Sequence, residues 1–214
     1  MCGIAGITGN NVKRLEPVLK KMSNCIYHRG PDGEGVAAYD NCLLGHRRLS
    51  IIDLSTGQQP MYSPYDSSLI FNGEFYGYQE VKTKLSYPWK TTSDTEVVLA
   101  LYHQYGKHEF LKYVRGMFSL AIWDEKNQEL VAARDRFGEK PFYYAITENN
   151  ELIFASEIKA ILASGLVQPK LSTQSLTHYL MHLYVHPHYT IYENIHVLPP
   201  AHYLTFKNGQ LSIQ

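Results

Sequence analysis

The chain has 214 residues, with 20 Lys and Arg against 20 Asp and Glu, so its formal net charge is zero. That balance supplies no basic surface for nucleic acid or for an acidic membrane. The length can bury a sizeable core, as one large domain or one domain with an appendage. There is no apolar run of about 18 residues, so no membrane span is expected, and the N-terminus lacks a basic region followed by an apolar stretch, so no signal peptide is expected. The three cysteines, Cys2, Cys25 and Cys42, form no disulfide framework and point to a reducing cytoplasm. Seventeen tyrosines suit half-buried strands.

Cys2 to Thr8 is short and apolar and ends at Gly9-Asn10, which predicts a buried strand. Over Val12 to Ile26, Leu15, Val18, Leu19, Met22 and Ile26 share one stripe at helical spacing. His28 to Gly35 is a loop by its Gly-Pro-Asp-Gly content. Strands are predicted at Val36–Tyr39, at Leu43–Leu49 and around Leu69–Asn72. Ser93-Asp94-Thr95-Glu96 has capping-box spacing ahead of a helix that buries Val97, Val98, Leu101 and Tyr105. Met117–Trp123 and Glu129–Ala133 predict one hairpin, and Tyr143–Ile146 and Leu152–Ala155 another. A short helix follows over Glu157–Leu162. Hairpins interrupted by helices, without βαβ alternation, predict an α+β protein with mainly antiparallel sheets. After Gly165 come a helix over Ser172–Leu183, a break at Pro187, a strand at His202–Phe206, a Lys207-Asn208-Gly209 turn and an unfinished strand.

Several polar clusters carry two readings each. Cys2 is either a small buried strand residue or, once Met1 is removed, a residue with both a thiol and a free α-amine. An α-amine has a pKa of about 7.7–8.0 and can take the thiol's proton. Arg47 and Arg48 are neighbours in a strand, so either one of them faces inward and needs an anion, or the pairing ends there. That anion is a structural carboxylate or a substrate carboxylate held by the guanidinium fork. Asn72-Gly73 reads as a hairpin turn or as an oxyanion hole built from the Asn72 amide and the Gly73 N–H. Asp94 either complements the dipole of its helix or pairs with a substrate ammonium. Arg134 to Pro141 is a solvated turn, a buried charge network or a domain contact. His178 and His182 share a helix face and could be two metal ligands, with His186 and His188 beyond. No cysteine or paired carboxylate completes that set, and no metal site is expected.

These segments, taken in order, resemble one family. They are Met1-Cys2-Gly3-Ile4, His28-Arg29-Gly30-Pro31-Asp32, Arg48-Leu49-Ser50-Ile51, Asn72-Gly73-Glu74, Ser93-Asp94-Thr95-Glu96, Arg134 to Pro141 and Ala155-Ser156-Glu157-Ile158-Lys159. Together they resemble the N-terminal glutaminase domain of glutamine-hydrolysing asparagine synthetases, a class II glutamine amidotransferase. The resemblance implies the N-terminal-nucleophile hydrolase fold, an αββα sandwich of two stacked antiparallel sheets. It implies Cys2 as nucleophile with its α-amine as base, and Asn72 and Gly73 as the oxyanion hole. Arg48, with Leu49, Ser50, Ile51 and Ile52, is expected to hold glutamine's α-carboxylate, and Glu74 and Asp94 its α-amino group. Arg29 and its loop are expected to help close the site. The family motif usually runs Asn-Gly-Glu-Ile-Tyr-Asn, and here Phe75 and Gly77 stand in two of those places.

Residues 1–165 are therefore expected to form the amidotransferase domain. Residues 166–214 resemble the connector into a synthetase domain whose Ser-Gly-Gly-Xaa-Asp-Ser motif is absent. No cofactor is expected in this chain, since ATP and Mg belong to that absent domain. The expected partners are L-glutamine and a synthetase domain or subunit, and the resemblance also admits a homodimer.

Overall fold

Strands buried along their whole length on both faces need a layer of structure on each side. β1 (Gly3–Thr8) and β3 (Cys42–Arg48) are of this kind. They belong to a sheet that also holds β2 (Gly33–Ala38), β8 (Tyr143–Ile146), β9 (Leu152–Ala155) and β10 (His196–Val197), in the order β10-β8-β9-β1-β3-β2. The second sheet is built from β4 (Met61–Tyr62), β5 (Ser67–Phe75), β6 (Gly116–Asp124), β7 (Glu129–Arg134), β11 (Tyr203–Lys207) and β12 (Gln210–Ile213), in the order β12-β11-β7-β6-β5-β4. All pairings are antiparallel. This computed structural model describes residues 1–214.

Three apolar clusters define the layers. Ile4, Leu44, Ile70, Trp123 and Phe154 fill the space between the sheets. Helices α1 (Glu16–Cys25) and α4 (Ile158–Ala163) cover the outer face of the first sheet through Leu19, Met22, Ala160 and Ile161. Helix α3 (Asp94–Glu109) covers the second sheet through Val97, Val98 and Leu101. The result is the αββα sandwich that the resemblance implied.

Some elements depart from the periodicity. The stripe over Val12–Ile26 is a 3₁₀ turn (Val12–Leu15) followed by α1, because Pro17 lacks the N–H that a continuous helix would use there. β2 begins at Gly33, inside the expected loop. β5 runs straight through Asn72-Gly73-Glu74 and ends at Phe75, so the turn reading of Asn72-Gly73 fails. Ser93 caps α3 by accepting the Thr95 N–H (3.2 Å). Glu96 does not close a capping box, because its carboxylate is taken by the Lys90 and Thr91 N–H groups, both at 2.8 Å. A short helix, α2 (Tyr78–Thr83), follows the left-handed Gly77 (φ 69°). Asparagine tolerates that conformation nearly as well, which accounts for the Asn-to-Gly departure from the family motif. The other departure, Phe75, is buried against α3.

The tail does more than connect. α5 (Thr173–His182) is an exposed helix, but β10 then pairs with β8, and β11 and β12 extend the second sheet from β7. Leu198, Leu204 and Phe206 sit in the layer between the sheets. No helix is long and apolar enough to cross a membrane. Leu204→Ala is expected to destabilise the chain by about 2–5 kcal/mol, measured by urea unfolding. A change below about 1 kcal/mol would show that the tail is peripheral to the core.

Candidate active site

The start of β1 is held from two directions. The Ile4 N–H donates to Ser156 Oγ (3.0 Å), and the Ser156 N–H returns to the Ile4 carbonyl (2.9 Å). Arg29 Nε donates to the Cys2 carbonyl (2.9 Å), and its Nη1 reaches Glu157 Oε1 (3.1 Å). Glu157 also receives His28 Nε2 (2.8 Å) and pairs with Lys159 (3.2 Å). Partial burial pushes the Glu157 carboxyl up, but the hydrogen bonds from Arg29, His28 and Lys159 outweigh it and leave it below its ordinary value. The motifs around Arg29 and Ser156-Glu157 are thus clamps on Cys2.

Side chains alternate along a strand. Ile4 packs between the sheets, so Cys2, two residues earlier, faces the same layer. Its Sγ lies 3.4 Å from the Leu49 N–H and 3.7 Å from the Leu49 carbonyl. Burial raises the thiol's pKa, against the lowering effect of the Leu49 N–H and of nearby Arg48 and Arg29.

β5 faces this point from the other sheet. β4 covers its free edge only at Leu69 and Ser68. Beyond that, Phe71, Gly73 and Phe75 turn their backbone groups away from β6, since Phe118, opposite Gly73, bonds to Asp135 instead. Side chains take the places of a strand on either side of Gly73. Gln59 accepts the Phe71 N–H (2.6 Å) and donates to the Phe71 carbonyl (3.2 Å), which also receives His46 Nε2 (3.2 Å). Asp94 Oδ2 accepts the Phe75 N–H (3.0 Å). The Gly73 N–H, between them, points into the pocket. A Cβ on Gly73 would lie 2.2 Å from the Met117 carbonyl oxygen, so only glycine fits.

Asn72 shares the inter-sheet face with Ile70. Its Nδ2 lies 3.4 Å from Ser119 Oγ, while its buried Oδ1 has no partner. Rotating the amide by 180° lets Oδ1 accept the Ser119 hydroxyl and presents Nδ2 in its place.

Arg47 and Arg48 are both buried. Arg47 points to the outer layer, where it pairs with Glu34 (3.2 Å) and donates to the Ser23 carbonyl (3.2 Å). Arg48 finds no carboxylate. Its guanidinium holds the carbonyls of Ile52 and Leu54, both at 3.3 Å, and of Asp53, shaping the loop from Leu49 to Gly57. Asp53 ties that loop to the start of α3 through the Thr92 N–H (2.8 Å). Asp94 does two jobs, one at the first turn of α3 and one at the β5 edge. Burial raises its carboxyl pKa despite the N–H groups of Phe75 and Thr95, and the nearby Glu74 adds to the rise.

One pocket is lined by Cys2, Arg48, Leu49, Ile51, Ile52, Asn72, Gly73, Glu74 and Asp94. Ser50 is outside it, its N–H held by Asp32 (2.8 Å). Gln59 and Lys140 line the pocket although nothing in their spacing singled them out. The charge cluster from Arg134 to Lys140 is a network built on two side chains, those of Asp135 and Arg134. Asp135 accepts the N–H groups of Phe118, Phe137, Glu139 and Lys140 at 2.9–3.2 Å. Arg134 holds the carbonyls of Gly138, Lys140 and Leu198 at 2.6–2.8 Å. Far from this site, His178 and His182 lie side by side on α5, their ring centroids 4.5 Å apart. His178 Nδ1 is spent on the Tyr184 carbonyl, and no three His, Cys, Asp or Glu side chains converge on a metal site.

Two stacked antiparallel sheets between helix layers make the αββα sandwich of the N-terminal-nucleophile hydrolase fold. The solved B. subtilis glutamine phosphoribosylpyrophosphate amidotransferase shares that fold, with a TM-score of 0.73 over 100% of this chain and 49% of that one, at 18% identity. The chain belongs to the glutamine amidotransferase domain family, whose model matches residues 1–214. It is 34% identical to asparagine synthetase [glutamine-hydrolyzing] 3 of Bacillus subtilis over 100% of this chain and 36% of that protein. It is 38% identical to asparagine synthetase B of Escherichia coli over 76% of this chain and 30% of that protein. Amidase chry2 of Gibberella zeae is also 38% identical, over 95% of this chain and 32% of its own length. The chain therefore spans about a third of the length of these relatives.

His46 offers a check on the site's packing. Burial lowers its pKa from 6.5 to about 4, against the raising effect of its bond to the Phe71 carbonyl. As pH falls from about 6.5 to about 4, the unfolded chain takes up this proton and the folded chain does not. Stability contributed above pH 6.5 is then lost, by about 3 kcal/mol for a shift of this size. Urea unfolding at neutral and acid pH is expected to show this loss in the natural chain, and His46→Gln is expected to show less of it.

Proposed function

We propose that this chain hydrolyses L-glutamine to glutamate and ammonia through a γ-glutamyl thioester on Cys2. The observation that carries the reading is the single pocket that holds Cys2 Sγ, the Asn72 amide, the Gly73 N–H, Arg48 and Asp94. The two ends of an amino acid need a cation and an anion, and Arg48 and the Glu74–Asp94 pair supply them. Glutamine's α-carboxylate would meet Arg48 and the backbone of the Leu49–Ile52 loop. Its α-amino group would meet Asp94 and Glu74, and that ion pairing would oppose the rise that burial gives the Asp94 carboxyl.

Removal of Met1 frees the α-amine of Cys2. The amine takes the thiol proton, and the sulfur attacks the side-chain carbonyl carbon. Asn72 Nδ2 and the Gly73 N–H stabilise the oxyanion. The ammonium then delivers its proton to the departing nitrogen, the carbon–nitrogen bond breaks, and ammonia leaves. Water attacks the thioester, the carbon–sulfur bond breaks, and the thiol regains a proton. In the longer relatives' arrangement, a synthetase domain or subunit would use this ammonia at an aspartyl-adenylate, with ATP and Mg held there. Three free cysteines suit a cytoplasmic setting.

Purified chain is expected to release ammonia from glutamine, and Cys2→Ala to abolish it. Asn72→Ala is expected to lower kcat by about 10²–10³-fold. A version with a residue retained ahead of Cys2 is expected to be inactive, because the base is then an amide. Unchanged turnover in that version or in Cys2→Ala would overturn the mechanism.

A further inference from the structure

Lys140 is the one buried cation in the pocket that has no polar partner. It is 6% exposed and forms no salt bridge, and the sole hydrogen-bond partner of its ammonium is the Met1 thioether sulfur (3.1 Å). An unpaired buried ammonium is costly, yet the surrounding turn is built to place it there. Asp135 holds the Lys140 N–H (3.0 Å) and Arg134 the Lys140 carbonyl (2.8 Å), so the backbone is fixed while the side chain reaches toward the chain start. The Asp135 carboxylate is already taken up by backbone N–H groups.

The other charged groups around Cys2 are accounted for. Arg29 is matched by Glu157, and Arg48 is folded onto the carbonyls of its own loop. Glu74 and Asp94 line the pocket beside the β5 edge, and His46 is buried behind it on the Phe71 carbonyl. Lys140 alone points its charge at Met1. When Met1 is removed, Lys140 loses its partner and remains in the pocket that Cys2 also lines.

We propose that Lys140 is an electrostatic positioning residue that keeps the N-terminal amine of Cys2 neutral and its thiol ready to ionise at physiological pH. A second cation nearby disfavours protonation of the amine and favours the thiolate. This inference rests on the proposed role of Cys2 as an N-terminal nucleophile. It makes Met1 removal a switch, since the same cleavage that creates the base also exposes it to the ammonium.

The test uses the full chain released from a fusion by cleavage directly before Cys2. Cys2 alkylation by iodoacetamide is followed by peptide mass across the near-neutral pH range. Because amine and thiol titrate as a coupled pair, the midpoint belongs to both. Lys140→Met and Lys140→Gln are each expected to raise that midpoint by about one pH unit, and Lys140→Arg to keep it. The acid limb of glutamine turnover is expected to move with it. A midpoint unchanged in either neutral variant, with a natural thermal melt, would overturn the proposal. The alkylation readout needs no turnover, so failure of glutamine hydrolysis would count against the proposed function and not against Lys140.

Discussion

The edge of β5 between Phe71 and Phe75 is a strand edge inside the protein with no strand beside it. β4 is two residues long and ends before reaching it. Buried backbone groups cannot be left unpaired without a cost of about 1–3 kcal/mol each. The chain meets that cost with side chains. Gln59 mimics a strand by bonding both the N–H and the carbonyl of Phe71, His46 adds a second donor, and Asp94 closes the edge at Phe75. Between these supports, the Gly73 N–H is aimed into the pocket at a position where no side chain fits. A donor fixed on a sheet interior costs no rearrangement when charge develops opposite it.

The four-layer architecture supplies the other half of the site. β1 lies in the middle of the first sheet, paired with β3 from Gly3 and with β9 from Ala5. Arg29, Ser156 and Glu157 fix the backbone there, and Leu49 contacts the sulfur. Asn72 approaches across the inter-sheet layer from β5. The two outer helix layers never touch the chemistry, but α3 begins at Asp94, which couples the packing of one outer layer to the β5 edge.

Much of this was legible in the residues. The hairpin strands Tyr143–Ile146 and Leu152–Ala155 fall where turn chemistry and apolar runs place them, and the resemblance named Cys2, Arg48, Leu49, Ile51, Ile52, Asn72, Gly73, Glu74 and Asp94 among the residues that line the pocket. Local signals were weaker where tertiary contacts decided. Asn72-Gly73 carries a turn signature, yet nine residues of pairing with β6 hold it extended. Arg48 lacks the anion that strand alternation demanded, because three loop carbonyls satisfy it, an arrangement that depends on how the following residues fold back. Gln59 lies on an irregular segment and shows its role only when Phe71 is seen to lack a strand neighbour. Lys140 sits among so many charges that nothing local separates the buried one from Glu139 or Arg136.

The account stands on one covalent event at the chain start. Acid quenching of the chain during glutamine turnover, followed by peptide mass spectrometry, tests it directly. The account predicts one γ-glutamyl group in labile thioester linkage on the peptide that begins with Cys2. Glutamine hydrolysis with no such adduct, or an adduct on Cys25 or Cys42 instead, would contradict it.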